Sequence, residues 1–537
     1  MVRRAPHGAL VELSDEGSFL NARAPKQSDR SVLLVGSEAL PFSKTGGLAD
    51  VLGALPLALA RLGWDVTVVS PRYRDVTAGE LVDRFVVTIG SYAAEVGFFE
   101  VPLMDGARAV LIEEPALFHR DGLYSKGDVD YPDNPLRFAM LARAALEFAS
   151  RRAVAPSVVH AHDWQAGLVP VYLKTRYGSH PTLGGAPSVF TIHNLAYQGL
   201  FEPSWLPRLD LPGSLLSPER MEYWSRISFL KGGINDAELI TTVSPTYARE
   251  IQTPEAGFGF DGILRRRAAD LVGILNGIDT DCWNPERDSF LPSAYGAADL
   301  TGKRAAKAAV LARFGLSADD SMLARPLIGM ISRMVAQKGF DLIASLALVL
   351  PRLEATFVVL GTGEPQYQDL WRSLAISHPD RIAVSIGFDE GLAHLIEAGA
   401  DIFLMPSKFE PCGLNQMYSL RYGTVPIVRR VGGLADTVYE APPGPGTGSG
   451  ARRRQPTTGF TFDQDAPEAL LEAIERALTA FKNRRKWRAI QRAGMKQEHS
   501  WDRSAREYVK IYEAAMARST RVRPEPVRTP IIRDRRT

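Results

Sequence analysis

Residues 31–39 read SVLLVGSEA, a short apolar run that stops on small residues. The run lacks alternation between polar and apolar positions, so the strand it predicts is buried on both faces. A loop follows, and then LADVLGALPLALARLG at 48–63 places apolar residues at helical spacing and ends on Gly63. A second strand is predicted at DVTVVSP (65–71), and the same grammar recurs at SVVHAHD (157–163), SVFTIHN (188–194) and ELITTVSP (238–245). Strands that alternate with helices predict a parallel sheet built from right-handed crossovers.

Across 245–325 this grammar fails: basic and polar stretches, NGIDTDCWNPE at 276–286 and an Ala/Lys-rich helix at 303–314 take its place. It resumes at PLIGMISR (326–333), ATFVVLGTG (355–363), RIAVSIG (381–387), DIFLMPS (401–407) and TVPIVRR (424–430). The chain therefore reads as α/β, with two doubly wound Rossmann-like domains in series and a seam between Leu275 and Asn276. No sequence repeat links the halves.

The 537 residues carry 63 Lys and Arg against 61 Asp and Glu, a net charge of +2, so composition gives no global case for a nucleic-acid partner. Hydrophobic content of 45% and charged content of 23% exclude a chain that is disordered throughout, a collagen-like repeat and a disulfide scaffold. Cys282 and Cys412 are far apart, which argues against a disulfide framework and fits a reducing, cytoplasmic setting. No Cys/His cluster has structural-zinc spacing. The first residues, MVRRAPHGALVELSDEGSF, lack the continuous apolar core of a signal peptide. The most apolar long stretch, 344–361, is interrupted by Pro351, Arg352 and Glu354, so no membrane span is expected. Residues 1–30 read as a disordered extension, PPGPGTGSG at 442–450 with Arg452, Arg453 and Arg454 as a flexible surface insertion, and the Arg/Pro-rich 518–537 as a basic disordered tail.

Open parallel sheets bind ligands beyond the carboxyl ends of their strands, so the candidate residues are those that follow each strand. After the first strand come Lys44, Thr45, Gly46 and Gly47 ahead of a helix. Glycines permit close backbone approach and a helix N-terminus favours an anion, so this loop reads equally as a phosphate cradle or as a Gly-rich turn with a solvated lysine. It is not a Walker A loop, because Ser43 precedes the lysine. Gly361-Thr362-Gly363 opens like a dinucleotide fingerprint, but Gln366 stands in the third glycine's place. Arg333 and Lys338 follow a strand directly, where a diphosphate would need fixed cations; taken alone they read as solvated surface charges. In SKFEPCGLNQ (407–416), Pro411 suits a helix start, the amides of Gly413, Leu414 and Asn415 suit phosphate oxygens, and Glu410 reads as a sugar-hydroxyl acceptor or an acidic cap. Cys412 has no partnered histidine and reads as a packing residue. Asp163, His193 and Asn194 also lie at strand ends, and no local carboxylate pair suggests a glycosidase dyad.

Taken in order, KTGGLADV (44–51), HDWQAG (162–167), HNLAYQG (193–199), NGID (276–279), Ser332-Arg333 with Gln337-Lys338-Gly339, EPCGL (410–414) and GGLADTV (432–438) resemble the bacterial glycogen synthase and plant starch synthase family over residues 31 to 512. Ala49-Asp50 is similar to the bacterial pattern. The resemblance implies a GT-B glycosyltransferase in which two Rossmann-like domains, 31–275 and 276–500, face each other across a cleft and a helix at 501–517 returns to the first. It implies glucose transfer from ADP-glucose to the non-reducing end of an α-1,4-glucan such as glycogen, with retention of configuration and with no cofactor or metal. By motif, Lys44, Gly46, Gly47 and Asp50 would meet the donor, and Arg333 and Lys338 would neutralise the diphosphate. The Cys412, Gly413, Leu414 and Asn415 segment would cradle phosphate, while Glu410, Asp163, His193, Asn194 and Asn276 would hold the sugar. Gly387 and Phe388 fall near the base, where Phe388 replaces a tyrosine usual in the family. Tyr418 stands where many relatives of the clan have a second glutamate. Rival expectations are a transferase with a small acceptor of the sucrose or trehalose type, a phosphorylase, and a non-catalytic glucan-binding protein; the last would need damaged phosphate loops, and these are intact.

Overall fold

The computed structural model describes residues 30–127, 129–441 and 455–519. The expectations for the N-terminal extension, the 442–454 insertion and residues 520–537 of the tail lie outside the described residues.

Two sheets organise the chain. The first contains β1 (Ser31–Val35), β2 (Asp65–Pro71), β3 (Glu80–Ile89), β4 (Tyr92–Met104), β5 (Ala107–Glu113), β6 (Val158–His162), β7 (Ser188–Ile192), β8 (Leu239–Thr242) and β9 (Leu271–Gly273), in the order β9-β8-β7-β6-β1-β2-β5-β4-β3. All pairings are parallel except β3–β4 and β4–β5. That antiparallel extension was not anticipated from the apolar runs, because β3 is half-exposed and alternates along its length. The two-residue Gly90-Ser91 turn between Ile89 and Tyr92 is its local signature.

The second sheet contains β10 (Leu327–Ile331), β11 (Thr356–Gly361), β12 (Ile382–Ile386), β13 (Ile402–Met405), β14 (Val425–Arg429) and β15 (Phe460–Phe462). It is wholly parallel, in the order β12-β11-β10-β13-β14-β15. The central parallel strands of each sheet are buried on both faces. In β1, Leu33 and Val35 pack towards Phe138 and Leu141 of the helix Asn134–Ser150. Val32 and Leu34 pack towards Leu52 and Leu55 of the helix Gly47–Arg61. Continuous apolar runs are what such a two-sided environment requires.

The C-terminal helix Trp501–Arg518 packs on the first sheet, although it follows the second in sequence. Buried Tyr512 lies 5.1 Å from the Trp64 ring, and its hydroxyl meets His160 Nδ1 at 2.8 Å. The chain thus crosses between halves twice, and the crossings touch: the amide of Ile278 donates to His499 O at 2.8 Å. A Cβ at Gly277 would fall 2.5 Å from the backbone nitrogen of Trp501, so the crossing requires glycine. Ser504 Oγ donates to Leu275 O at 2.6 Å beside it.

Removing the buried ring in Tyr512→Ala should destabilise the first sheet by about 3–5 kcal/mol through the cavity it leaves. Tyr512→Phe, which loses only the hydrogen bond, should cost about 1 kcal/mol. Urea unfolding followed by tryptophan fluorescence checks both, and equal midpoints for the two variants would contradict the packing role.

Candidate active site

Among the parallel strands of each sheet the order reverses once, between β1 and β6 in the first and between β10 and β13 in the second. Connections leave in opposite directions at such a point and open a crevice beyond the strand ends. The two crevices face each other, and a cleft of about 1340 Å³ is lined from both halves.

On the first side the loop after β1 is held by Glu38, a buried residue that motif reading passed over. Its carboxylate accepts from the amides of Thr45 and Gly46 (3.2 Å for the latter), from Thr45 Oγ1 at 2.6 Å and from the Tyr124 hydroxyl. The only local sign was an acidic residue in an otherwise apolar strand end. Lys44 reaches Asp50 Oδ1 at 2.7 Å, and burial raises the Asp50 carboxyl against the opposing pull of that lysine. A Cβ at Gly46 or Gly47 would meet no protein atom within 4 Å, so internal packing does not demand glycine there; both line the cleft.

Asp163, after β6, sits at φ 57°, a region disfavoured for a residue with a Cβ. The conformation is held because its Oδ1 accepts from the amide of His193 at 2.7 Å. Burial pushes this carboxyl up to about 7, and the backbone donors of His193 and Asn194 oppose the rise. His193, after β7, meets His162 Nδ1 at 3.0 Å through Nε2, and His160 lies next in line, 4.0 Å from His162 between ring centroids. Burial lowers His160 and His193 to about 3 and holds His162 well below its ordinary value, so all three are neutral near pH 7. Asn194 lines the cleft beside them, its Oδ1 accepting from the amide of Ala196 at 3.1 Å.

On the second side, Gly339 at φ 78° allows the loops after β10 and β13 to touch; a Cβ there would fall 2.1 Å from Pro406 O. That approach brings Lys338 Nζ to Glu410 Oε2 at 2.5 Å, with Ser407 Oγ donating to the same oxygen at 3.0 Å. Arg333 is exposed at the cleft and has no ion-pair partner among the described residues. Pro411 does not start a helix, contrary to expectation. Gly413 at φ 71° turns the chain, and the helix Asn415–Arg421 begins only after Leu414, so Glu410 pairs with Lys338 instead of capping a helix. Gln416 Nε2 pins the loop through Cys412 O at 3.0 Å and Gly413 O at 3.1 Å, while Asn415 Nδ2 donates to Ile331 O at 2.8 Å.

Burial raises the Cys412 thiol to about 12, which fits a packing residue and not a nucleophile. Phe388 is 89% exposed at the cleft. Gly387 does not line it: at φ 142° it makes the turn that delivers Phe388. Asn276, at the crossing, lines the cleft and is buried with its Oδ1 lacking a hydrogen-bond partner among the described residues. The wall beside it is aromatic, for Trp283 stacks on Tyr418 at 3.8 Å and on His394 at 3.7 Å. No short motif marked that stack, because Trp283 lies more than a hundred residues from both partners. Among the described residues no group of three or more His, Cys, Asp or Glu side chains could hold a metal ion. None of the described helices is long and apolar enough to cross a membrane.

Two doubly wound domains with facing switch points, each bringing glycine-rich loops and cations to the cleft, define a GT-B glycosyltransferase. The family description "Starch synthase catalytic domain" matches residues 31–266, and "Glycosyl transferases group 1" matches 321–493. Glycogen synthases of Anaeromyxobacter dehalogenans strain 2CP-1 and Koribacter versatilis are 48% and 45% identical to this chain, each over 90% of it and 98% of the relative. The catalytic domain of starch synthase IV from Arabidopsis thaliana, solved with ADP and acarbose, superposes with a TM-score of 0.80 at 33% identity, covering 91% of this chain and 99% of that one. Sucrose-phosphate synthase from Thermosynechococcus elongatus shares the fold, with a TM-score of 0.56 at 16% identity over 91% of this chain and 100% of its own. The chain belongs to the glycogen synthase and starch synthase family and is a glycosyltransferase.

Two outcomes follow from this geometry. Asp163 is raised from 3.8 to about 7, so its contribution to stability is full below pH 4 and is lost as pH rises through 7. Asp163→Asn should flatten the stability profile across that window, as thermal unfolding at stepped pH will read. Glu38→Ala should speed amide exchange at Thr45 and Gly46 about tenfold, the equivalent of ~1.4 kcal/mol of lost charge-assisted bonding. Unchanged exchange would show that the loop is held by something else.

Proposed function

We propose that this glycosyltransferase moves glucose from ADP-glucose to the non-reducing 4-hydroxyl of an α-1,4-glucan, with retention of configuration and without a metal, elongating glycogen. The observation that carries the reading is the convergence of Lys44, Arg333 and Lys338 on one cleft between glycine-rich loops. A diphosphate leaving group develops negative charge as the glycosidic bond breaks, and preorganised cations lower that barrier without reorganising. Arg333 and Lys338 neutralise the leaving phosphates from the second domain, Lys44 and the Gly46–Gly47 turn approach the donor from the first, and the Gly413–Asn415 segment offers backbone donors. Glu410 holds the transferred glucose, and its bond to Lys338 couples sugar and phosphate recognition.

Asp163, Asn194 and Asn276 complete the sugar pocket. The imidazole of His193 is neutral and therefore a poor proton donor, which fits a role for its backbone carbonyl at the oxocarbenium-like centre. With no side chain among the described residues poised as a nucleophile, the leaving phosphate accepts the acceptor's proton on the same face of the sugar, which retains configuration. ADP and acarbose bound to the starch synthase relative support a nucleotide and a glucan-like ligand as the reactant classes. Exposed Phe388 offers the base a ring face without a hydroxyl. Closure of the two domains over the donor would exclude water from the reaction.

Incubation with ADP-glucose and glycogen should release ADP and lengthen glucan chains, while absence of transfer from any nucleotide-glucose would refute the reading. Lys44→Ala, Arg333→Ala and Glu410→Ala should each lower kcat by ~10²–10³ while the fold persists by circular dichroism. Full activity in all three would refute the site assignment.

A further inference from the structure

The hairpin formed by Glu222–Tyr223 and Arg226–Ser228 turns on two residues, Trp224 and Ser225, both in the left-handed region at φ 50° and 63°. A two-residue turn of this kind favours Asn-Gly, because a Cβ is disfavoured at both positions. This chain places tryptophan there and leaves it 81% exposed. The hairpin beneath it is fixed. Ser225 N donates to Glu222 Oε1 at 2.8 Å, and the Tyr223 ring packs edge-on to Phe260 at 4.6 Å. A strained turn on a rigid base that displays one bare indole calls for a ligand.

We infer that Trp224 is a stacking platform for the body of the acceptor α-glucan, outside the donor cleft. The inference rests on the proposed glucan synthase reading and extends it. The indole heads a line of rings that leads to the cleft. Tyr223 lies 6.4 Å from Trp224, its hydroxyl donates to Phe258 O at 2.9 Å, and Phe258 meets Phe409 edge-on at 5.6 Å. Phe409 immediately precedes Glu410, and cleft-lining Gln198 donates to the same Phe258 carbonyl at 2.9 Å. The C–H faces of a glucose ring stack on the electron-rich face of an aromatic ring, and Trp presents the largest such face. A protein partner would need a contiguous apolar patch, whereas Ser225 and Arg226 beside the indole are exposed and polar.

Trp224→Asn tests the inference cleanly, since Asn suits the turn better than Trp and removes the ring without threatening the fold. In native gels containing glycogen, Trp224→Asn and Trp224→Ala should be retarded about fivefold less than the natural chain, with the KM for glycogen raised to match. Transfer to maltotriose, a short acceptor, should keep its kcat, and the KM for ADP-glucose should not move. Unchanged glycogen retardation in Trp224→Asn would overturn the platform and leave the synthase reading intact. Altered solution mass in the variant with unchanged glycogen binding would also overturn it, assigning the indole to contact between copies. Failure of the natural chain to use any α-glucan would remove the synthase reading and the platform with it.

Discussion

Parallel strands cannot be joined by tight turns, so every connection must pass over a face of the sheet, and a sheet covered on both faces must reverse its winding at some strand. In this protein the reversals fall beside Ser31–Val35 and beside Leu327–Ile331, and the rest of the molecule depends on them. Each leaves a crevice at the carboxyl ends of its central strands, and the paired crossings at Ile278 and His499 set the crevices face to face. The return of the C-terminal helix to the first sheet makes the second crossing necessary.

Within the cleft the recurring device is a buried or half-buried carboxylate that organises a loop. Glu38 gathers the amides of Thr45 and Gly46, Asp163 holds the backbone of His193, and Glu410 binds Lys338. Each is satisfied by donors within the protein, as a charge removed from water must be. The loops are thereby preorganised before any ligand arrives, which is what electrostatic stabilisation of a leaving group requires. Three adjacent neutral histidines behind Asp163 add no positive charge beside it, unlike Lys44, Arg333 and Lys338 elsewhere on the cleft wall.

Much of this was legible in the order of residues. The apolar runs at β1, β2, β6–β8 and β10–β14 are continuous because both faces are buried, and local pattern is enough to find them. Lys44, Arg333, Lys338 and Glu410 could be singled out because they lie in the loops that follow strands. The β3–β4 extension was passed over because a half-exposed strand alternates and dilutes its apolar signal. Glu38 carries little local signature, because its donors are the amides of Thr45 and Gly46 and the hydroxyls of Thr45 and the distant Tyr124, and Gly387 makes the turn that delivers cleft-lining Phe388.

The sequence by itself determined the elements, their alternation and the chemical character of each strand-end loop, since these depend on neighbours within a few residues. Tertiary structure alone decided which loops meet. Lys338 reaches Glu410 because Gly339 lets two loops touch, Trp283 is sandwiched by residues from a distant helix pair, and Tyr512 reports to His160 across more than three hundred residues. Contacts of that kind depend on strand order and on which helix covers which face, and no local spacing in the chain records them.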